Sequence, residues 1–333
     1  MKPLFFFTAV FVLALVALAP GVRKALADAE GGWHTAQYGD LAVTALSDST
    51  GMMPFTIFYD ITAEDFEALA AAGGSPSANE VPSWINAFLV KKGDELFLVD
   101  TGMGVGPSIV PLVSAAGYSP DQVTHVLITH FHSDHIGGLL DGDGSPSFPN
   151  ATLYAPVRDE EYFIPKSGPD VNGTELARKV TGPYRSAGRY RAFDPGAQIA
   201  PGVKSSSLWG HTPGHTGFAF ESSAGPLLCW GDVVHAYLIQ FSRPEVTLSY
   251  DVDRPGAAAT RRKVFNEAAD GRWLVAGAHL PFPAIGQVTR RNGGFVWSPY
   301  QASETEPAGG APASGADGPP AAEGSAPTAP AAD

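Results

Sequence analysis

"VLITHFHSDHIGG", residues 126–138, decides how this chain reads. A short apolar run ends at Ile128, and His130, His132, Asp134 and His135 then fall within six positions. A histidine binds a metal when neutral and an aspartate when ionised, both at about 2.0–2.2 Å from zinc. Residues two apart in an extended segment point the same way, so His130 and His132 can grip one ion together. As the chain turns into a helix, Asp134 and His135 can reach a second ion beside the first. Gly137 and Gly138 remove side-chain bulk where the backbone turns closest to such a site. The apolar run supplies rigid support from a sheet. A lone histidine here would read as a cap or a hydrogen-bonding loop residue. Four such groups in six positions are costly without a cation to neutralise them.

One turn cannot supply a whole two-metal site, so further ligands must come from elsewhere. Three stretches offer them: "WGHTPGHTG" (His211, His215), "CWGDVVH" (Asp232, His235) and "AGAHLPF" (His279). Each follows a strand-like apolar stretch, as in a site assembled from loops at one rim of a sheet sandwich.

The rest of the chain is consistent with such a scaffold. "LAVTALSD" (41–48) alternates like a strand, and "INAFLVKKGDELFLVDTG" (85–102) reads as a hairpin. Residues 106–117 read as a helix. Ser119, Pro120 and Gln122 read as a capped turn that feeds a buried strand at 125–129. Strands are expected at 151–156 and 202–210, a hairpin at 217–232, an amphipathic helix at 257–271 stopped by Gly271, and a last buried strand running into a loop at 273–283. Hairpins mixed with helices predict an α/β (α+β) fold with two sheets and helices outside, in one continuous domain over 28–301. No internal repeat is visible.

At the ends the composition changes. Residues 1–27 carry Lys2, an apolar run from Leu4 to Ala19 and Ala-Leu-Ala before Asp28, the layout of a cleaved signal peptide. The run is short for a membrane span, which needs about 20 residues; an uncleaved anchor is the alternative. Cleavage would remove Lys2, Arg23 and Lys24 and take the formal charge from -13 to -16. The expectation is a periplasmic or secreted protein without stable membrane insertion. Residues 302–333 contain no large apolar side chain and read as a disordered tail. The negative charge argues against nucleic acid, whose phosphates need clustered Lys and Arg. Cys229 is the single cysteine; it cannot form an internal disulfide and reads as a small buried hydrophobe.

His-x-His-x-Asp-His, then Gly-His-Thr-Pro-Gly-His, then Gly-Asp, then a late Ala-His-Leu, in this order, resembles the metallo-β-lactamase superfamily. Within it the chain is most similar to the methyl parathion hydrolases and their lactonase-like relatives. The supporting segments are "YGDLAVTALSD", "FLVDTGMG", "AGYSPDQVTHVLITHFHSDHIGG", "FPNATLYA", "GHTPGHTGF" and "AGAHLPFPAIG", and the likeness spans roughly 35–300. It implies a four-layer αβ/βα sandwich with two metals at the shared edge. It further implies that His130, His132 and His211 hold one ion, that Asp134, His135 and His279 hold the other, and that Asp232 bridges them. His211 is taken over His215, which becomes a supporting residue. Asp100 matches the family's aspartate behind a ligand histidine. His125 reads as structural, and His34 has no context.

Two cations about 3.5–4 Å apart lower the pKa of a shared water, whose hydroxide is the nucleophile; Asp134 can accept its proton and steer it. Zinc is the first choice, with manganese, iron(II) or cobalt as alternatives. Asp232 stands where the cysteine-using β-lactamases carry cysteine. Too few residues follow His279 for the extra helical domain of glyoxalase II, and an acidic exported chain is a poor RNA-processing enzyme. Small-molecule lactones, aryl esters and phosphotriesters are left. Phe163, by the same likeness, and Phe55, Phe58 and Tyr59, on a loop expected to overhang the site, are candidate pocket aromatics. His235 is a candidate proton donor to a leaving alkoxide. The competing readings are a non-catalytic exported metal-binding protein and a β-lactamase. The resemblance also raises a homodimer as an expectation.

Overall fold

Strand formation follows the apolar patterning, and the strands assemble into two seven-stranded sheets. In the computed structural model, residues 32–104, 109–165 and 173–301 are described. The signal peptide and the tail lie outside them, as does the first part of the helix expected at 106–117. The first sheet contains β1 (Trp33–Tyr38), β2 (Leu41–Pro54), β4 (Glu80–Lys92), β5 (Glu95–Val99), β6 (His125–Leu127), β7 (Thr152–Pro156) and β8 (Tyr190–Phe193), paired in that order. The second runs β16 (Gly294–Pro299), β15 (Ile285–Arg291), β14 (Leu274–Ala276), β12 (Leu227–Cys229), β11 (Thr216–Phe220), β10 (Val203–Ser207), β9 (Gln198–Ala200). A small ribbon joins β3 (Phe58–Tyr59) to β13 (Thr247–Leu248).

The helices are α1 (Ala63–Ala72), α2 (Ile109–Ala115), α3 (Ser133–Ile136), α4 (Val157–Phe163), α5 (Thr174–Ser186), α6 (Tyr237–Gln240) and α7 (Arg254–Gly271). Leu112 and Val113 of α2, Phe163 of α4, and Ala177, Val180 and Tyr184 of α5 pack on the outer face of the first sheet. Val43, Phe88 and Val90 of that sheet share a core with Phe218, Phe220 and Val275 of the second, and Val264 and Phe265 of α7 join it. Helix, sheet, sheet and helix therefore stack as the expected mixed α/β sandwich. Among the described residues no helix is long and apolar enough to cross a membrane.

The hairpin read at 85–102 is β4–β5, closed with Lys92 opposite Glu95. Ser119 and Gln122 form a reciprocal cap, with Ser119 Oγ accepting from Asp121 N and Gln122 Oε1 accepting from Ser119 N. Other boundaries shift. The strand expected to run into a loop within 273–283 ends at Ala276, and the loop presents His279; it is not the last strand, since β15 and β16 follow and complete the sheet edge. The helix expected at 257–271 begins at Arg254, since Asp253 caps it by accepting from Gly256 N. The stop assigned to Gly271 belongs to Arg272, which takes the left-handed conformation (φ 50°). At Gly271 a Cβ would lie 2.2 Å from Trp273 Nε1, so glycine there makes room for the tryptophan.

Topology brings the motif to one edge. β5, β6 and β7 are parallel, and so are β12 and β14. Their carboxyl ends release Asp100, the His130–His135 turn, Asp159, Asp232 and His279 in turn. β11 is antiparallel to β12, so the His211–His215 loop before it opens on the same edge. Side chains gathered beyond the carboxyl ends of parallel strands are the usual site arrangement of α/β sheets.

Gly137 and Gly138 are required by close backbone contact. A Cβ on Gly137 would stand 2.0 Å from Met103 O, and one on Gly138 2.2 Å from Thr101 O. Gly138→Ala is expected to destabilise the fold by about 3 kcal/mol, since backbone cannot yield as a side-chain tip would. Gly142→Ala, where no atom lies within 4 Å, is the control in denaturant unfolding. Equal midpoints for the two variants would contradict this.

Candidate metal centre

The side chains from these loop ends converge. His132 Nδ1 lies 3.0 Å from His130 Nε2 and 2.9 Å from His211 Nε2. Asp232 Oδ2 is 3.2 Å from His211 Nε2 and 3.5 Å from His130 Nε2. On the other side, His135 Nε2 is 3.2 Å from Asp232 Oδ1 and 3.4 Å from Asp134 Oδ2. His279 Nε2 is 3.1 Å from Asp232 Oδ2 and 3.6 Å from Asp134 Oδ2. Three groups of possible ligand atoms result among the described residues, His130/His132/His211/Asp232, Asp134/His135/His279 and Asp232/His235/His279. The Asp232 carboxylate stands between the first two.

This donor set suits divalent cations. Ligand atoms on a tetrahedral zinc ion are about 3.4 Å apart, close to the spacings seen. His135 Nε2 and Asp232 Oδ1 are buried and lack a hydrogen-bond partner among the described residues, an arrangement that is expensive for the protein alone. The rear nitrogens of the same histidines are occupied. His135 Nδ1 is 2.8 Å from Asp100 Oδ2, His211 Nδ1 2.8 Å from Asp251 Oδ1, His279 Nδ1 2.6 Å from Trp84 O, and His130 Nδ1 3.0 Å from Thr129 Oγ1. Ligating histidines are held this way, with the rear nitrogen fixing the tautomer and ring direction. Asp100 adopts φ 60° to reach His135 while also accepting from Thr129 N and Oγ1 at 2.8 Å. Left-handed backbone at a non-glycine residue is strain of the kind that clusters at working sites.

The same accounting separates His211 from His215. His215 Nε2 accepts from Asp232 N at 2.9 Å, which leaves Nδ1 to donate to Leu208 O at 2.8 Å. Both nitrogens are spent on the backbone, so His215 orients Asp232 and has no free lone pair for an ion. Burial keeps this ring neutral, its pKa pushed down to about 3.

Electrostatics within the cluster are polarised. Burial holds His130 well below the ordinary histidine value, with neighbouring histidines adding to the effect, and lowers His132 to about 3. His135 goes the other way: burial opposes its charge, but Asp232, Asp134 and Asp100 outweigh burial and raise it well above the ordinary value. Burial likewise works against His211, yet Asp232 and Asp251 lift it to about 9. Asp232 itself is pushed up by burial and pulled much further down by His135, His279, His130 and His235.

A family profile described as the metallo-beta-lactamase superfamily matches residues 84–279, more than half of the chain. The chain belongs to the metallo-beta-lactamase superfamily. Among solved superfamily structures, a hydrolase named AbOPH superposes with a TM-score of 0.76 at 32% identity, covering 82% of this chain and 98% of that one. AidC, described as a dizinc quorum-quenching lactonase, superposes with a TM-score of 0.72 at 24% identity over 81% and 98% of the two chains, a likeness of fold alone. In sequence, a probable metallo-hydrolase of Mycobacterium bovis is 27% identical over 196 residues, 49% of this chain and 60% of its own length. An N-acyl homoserine lactonase of a Bacillus species is 27% identical over 122 residues, 36% of this chain and 42% of its own. The chain thus spans less than two thirds of these curated relatives.

Within the superfamily scaffold, not every expected residue faces the cluster. Phe58 is buried in a small separate core with Phe66, Ile239 and Leu248, and Phe55 packs on the same Phe66 at 5.1 Å between ring centroids. Both pack on Phe66 of α1 and anchor the segment after β2. Tyr59 alone of the three stays exposed, under the Arg254 guanidinium at 4.0 Å. Phe163 is buried, its ring edge-on to His132 at 5.7 Å, so it backs that histidine. His125 is stacked between Phe97 and Tyr154, away from the cluster. Cys229 is buried, and burial pushes its thiol far up.

His235 lies closer to the centre than its sequence context implied. Its Nε2 is 3.0 Å from Asp232 Oδ2, and its ring stacks on His279 at 4.9 Å. Sequence reasoning missed Asp251, Trp84 and Thr129. For Asp251 the only signal was negative. "YDVDRP" has two aspartates, and the following Arg-Pro marks Asp253 as the helix cap, leaving Asp251 without a local job.

Proposed function

We propose that this protein is a binuclear metal-dependent hydrolase of small-molecule ester bonds, acting on lactones, aryl esters or phosphotriesters. The observation that carries the proposal is the buried Asp232 carboxylate, shared by both halves of the cluster: Oδ2 is 3.2 Å from His211 Nε2 and 3.1 Å from His279 Nε2, and Oδ1 is 3.2 Å from His135 Nε2. The names of the superfamily neighbours, a dizinc lactonase and an N-acyl homoserine lactonase, support ester chemistry. When bound, a pair of divalent cations, zinc first, supplies Lewis acidity toward the C=O or P=O oxygen and a water acidic enough to attack near neutral pH.

The chain's own residues do the rest. Asp100, Asp251, Trp84 O and Thr129 set four imidazoles in fixed directions, and His215 holds the Asp232 backbone. Asp134 is the more exposed of the two cluster carboxylates, 21% against 2% for Asp232. It is therefore the one open to an attacking water, and it takes that water's proton at its carboxylate. His235 belongs to a possible ligand group with Asp232 and His279, and its buried Nδ1 has no hydrogen-bond partner among the described residues. In the proposed reaction this ring, 3.0 Å from Asp232 Oδ2 through Nε2, hydrogen-bonds the leaving oxygen. An alkoxide leaving group needs that help and a nitrophenolate does not. His235→Phe is accordingly expected to slow hydrolysis of an alkyl lactone by about 10²-fold and that of 4-nitrophenyl acetate by only a few-fold. Equal losses on both substrates would remove His235 from this role.

The experiment for the proposal is turnover of N-hexanoyl homoserine lactone, 4-nitrophenyl acetate and methyl paraoxon by zinc- or manganese-loaded protein, with nitrocefin as the β-lactam comparison. Hydrolysis of an ester that disappears in the His130→Ala, Asp232→Ala double variant supports it. Protein with two bound ions and no turnover of any ester favours the non-catalytic metal-binding reading. Export is part of the proposal and rests on residues 1–27; a secreted or periplasmic product beginning at Asp28 is the expected result of N-terminal sequencing.

A further inference from the structure

We infer that Asp159 is a positioning residue that locks the three-histidine half of the centre, acting through the backbone on either side of the ligands. The inference rests on the two-ion reading above.

Asp159 lies in the first turn of α4 and is 0% exposed. Its Oδ2 accepts from Phe131 N at 3.0 Å and from Thr212 Oγ1 at 2.9 Å, and its Oδ1 accepts from Gly214 N at 2.6 Å. Phe131 sits between His130 and His132. Thr212 and Gly214 follow His211 in the His-Thr-Pro-Gly-His loop. All three donors therefore belong to the two segments that carry this half's histidines, and those segments arrive from different sheets. None belongs to the segments carrying Asp232 or His279, and in the His130–His135 turn the donor lies between the two histidines of this half, ahead of Asp134 and His135. The same helix sends Phe163 edge-on to His132, so α4 braces the three-histidine half twice.

Gly214 is shaped by this contact. A Cβ there would lie 2.5 Å from Asp159 N and 2.8 Å from Oδ1. A carboxylate that only filled space would be a costly choice, because a buried charge carries a large desolvation penalty. Here three donors converge on it, and the product is a fixed distance between His211 and the His130–His132 pair. A side chain one shell behind the ligands typically changes metal affinity 10–100-fold when removed.

Zinc binding by chelator competition tests this, with cobalt(II) absorption as a second readout. Asp159→Asn keeps the shape but places an amide nitrogen against groups that need an acceptor. The expected result is one zinc equivalent weakened 10–100-fold and the other changed less than about threefold. Asp100→Asn, which touches His135 directly and His130 only through Thr129, should weaken the opposite equivalent more. The Asp159→Asn loss should largely vanish in a His211→Ala background. Thr212→Val deletes one of the three bonds without disturbing the carboxylate; it should shift the same equivalent in the same direction, and it covers the case that Asp159→Asn does not fold. Unchanged affinities, or equal weakening of both equivalents alongside a lower Tm, overturns the inference. A wild-type stoichiometry of one ion would instead count against the binuclear reading. In that case a single equivalent weakened by Asp159→Asn still upholds the role of Asp159, and an unaffected one overturns it.

Discussion

Asp232→Ala is expected to lower kcat/KM for any ester substrate by at least about 10³-fold, equivalent to roughly 4 kcal/mol of barrier. The purified variant should retain fewer than two ions per chain. The reason is geometric. Asp232 Oδ2 lies 3.0–3.5 Å from the Nε2 atoms of His130, His211, His235 and His279, and Oδ1 lies 3.2 Å from His135 Nε2. Removing the carboxylate leaves five imidazoles facing one another without the anion that balances them and that both ion positions share. It also removes the group that Asp232's own backbone is held in place to present, through Asp232 N and His215 Nε2. Asp232→Asn, which keeps the shape and loses the charge, should fall between wild type and alanine in metal content. Elemental analysis and steady-state kinetics on the same preparations check this. Full activity with two ions bound in Asp232→Ala would remove the bridging role and with it the proposed reaction.

Stripping the metals should abolish turnover and lower Tm by roughly 10 °C. An ion present at about 1,000 times its Kd stabilises the folded chain by about 4 kcal/mol, and each kcal/mol moves Tm by roughly 2–4 °C for a domain near this size. The stripped protein should also respond differently to pH. Without cations, the carboxylates beside His135, His211 and His279 raise these histidines against the opposing effect of burial, His211 to about 9. Their folded pKa values lie above the unfolded ones, so this stabilisation is complete below about 6.5 and fades as pH rises, for His211 through about 9. The stripped protein therefore loses Tm between about pH 6.5 and 9. In the loaded protein the cations replace these protons, and that loss should be absent. Binding must also release the protons, so apparent zinc affinity should fall by up to about tenfold per proton for each unit the pH drops below those values. Differential scanning calorimetry at several pH values, with and without chelator, measures both effects. A Tm unaffected by chelator across that range would count against a metal centre in this cluster.

Much of the site was legible in the linear chain because its chemistry is local in type. Three histidines and an aspartate in six residues announce metal binding before any fold is known. The glycines at 137 and 138, the apolar run before the motif and the Gly-Asp at 231–232 mark strand ends where a chain can turn sharply. Helix caps were legible where side chain and backbone meet within four residues, as at Ser119, and less so where Asp251 and Asp253 compete for one role. The surroundings of the aromatics were not legible, for the opposite reason. Whether Phe55 and Phe58 overhang a site or anchor a flap depends on Phe66 and Leu248, and no local pattern reveals partners from other parts of the chain.

By itself, then, the sequence determined which residue types carry the chemistry, their order and the layered fold class, since those follow from side-chain identity and hydrophobic period. The tertiary structure alone decided which nitrogen of which histidine faces the centre. It also decided that His215 spends both nitrogens on backbone while His211 does not, and that Asp251, Trp84, Thr129 and Asp159 stand behind the ligands. Those outcomes depend on two sheets meeting at a common edge, with strand ends from residues 100 to 279 brought within hydrogen-bonding range. Distances of about 3 Å between such remote residues are set by packing and register and are not written in any one segment.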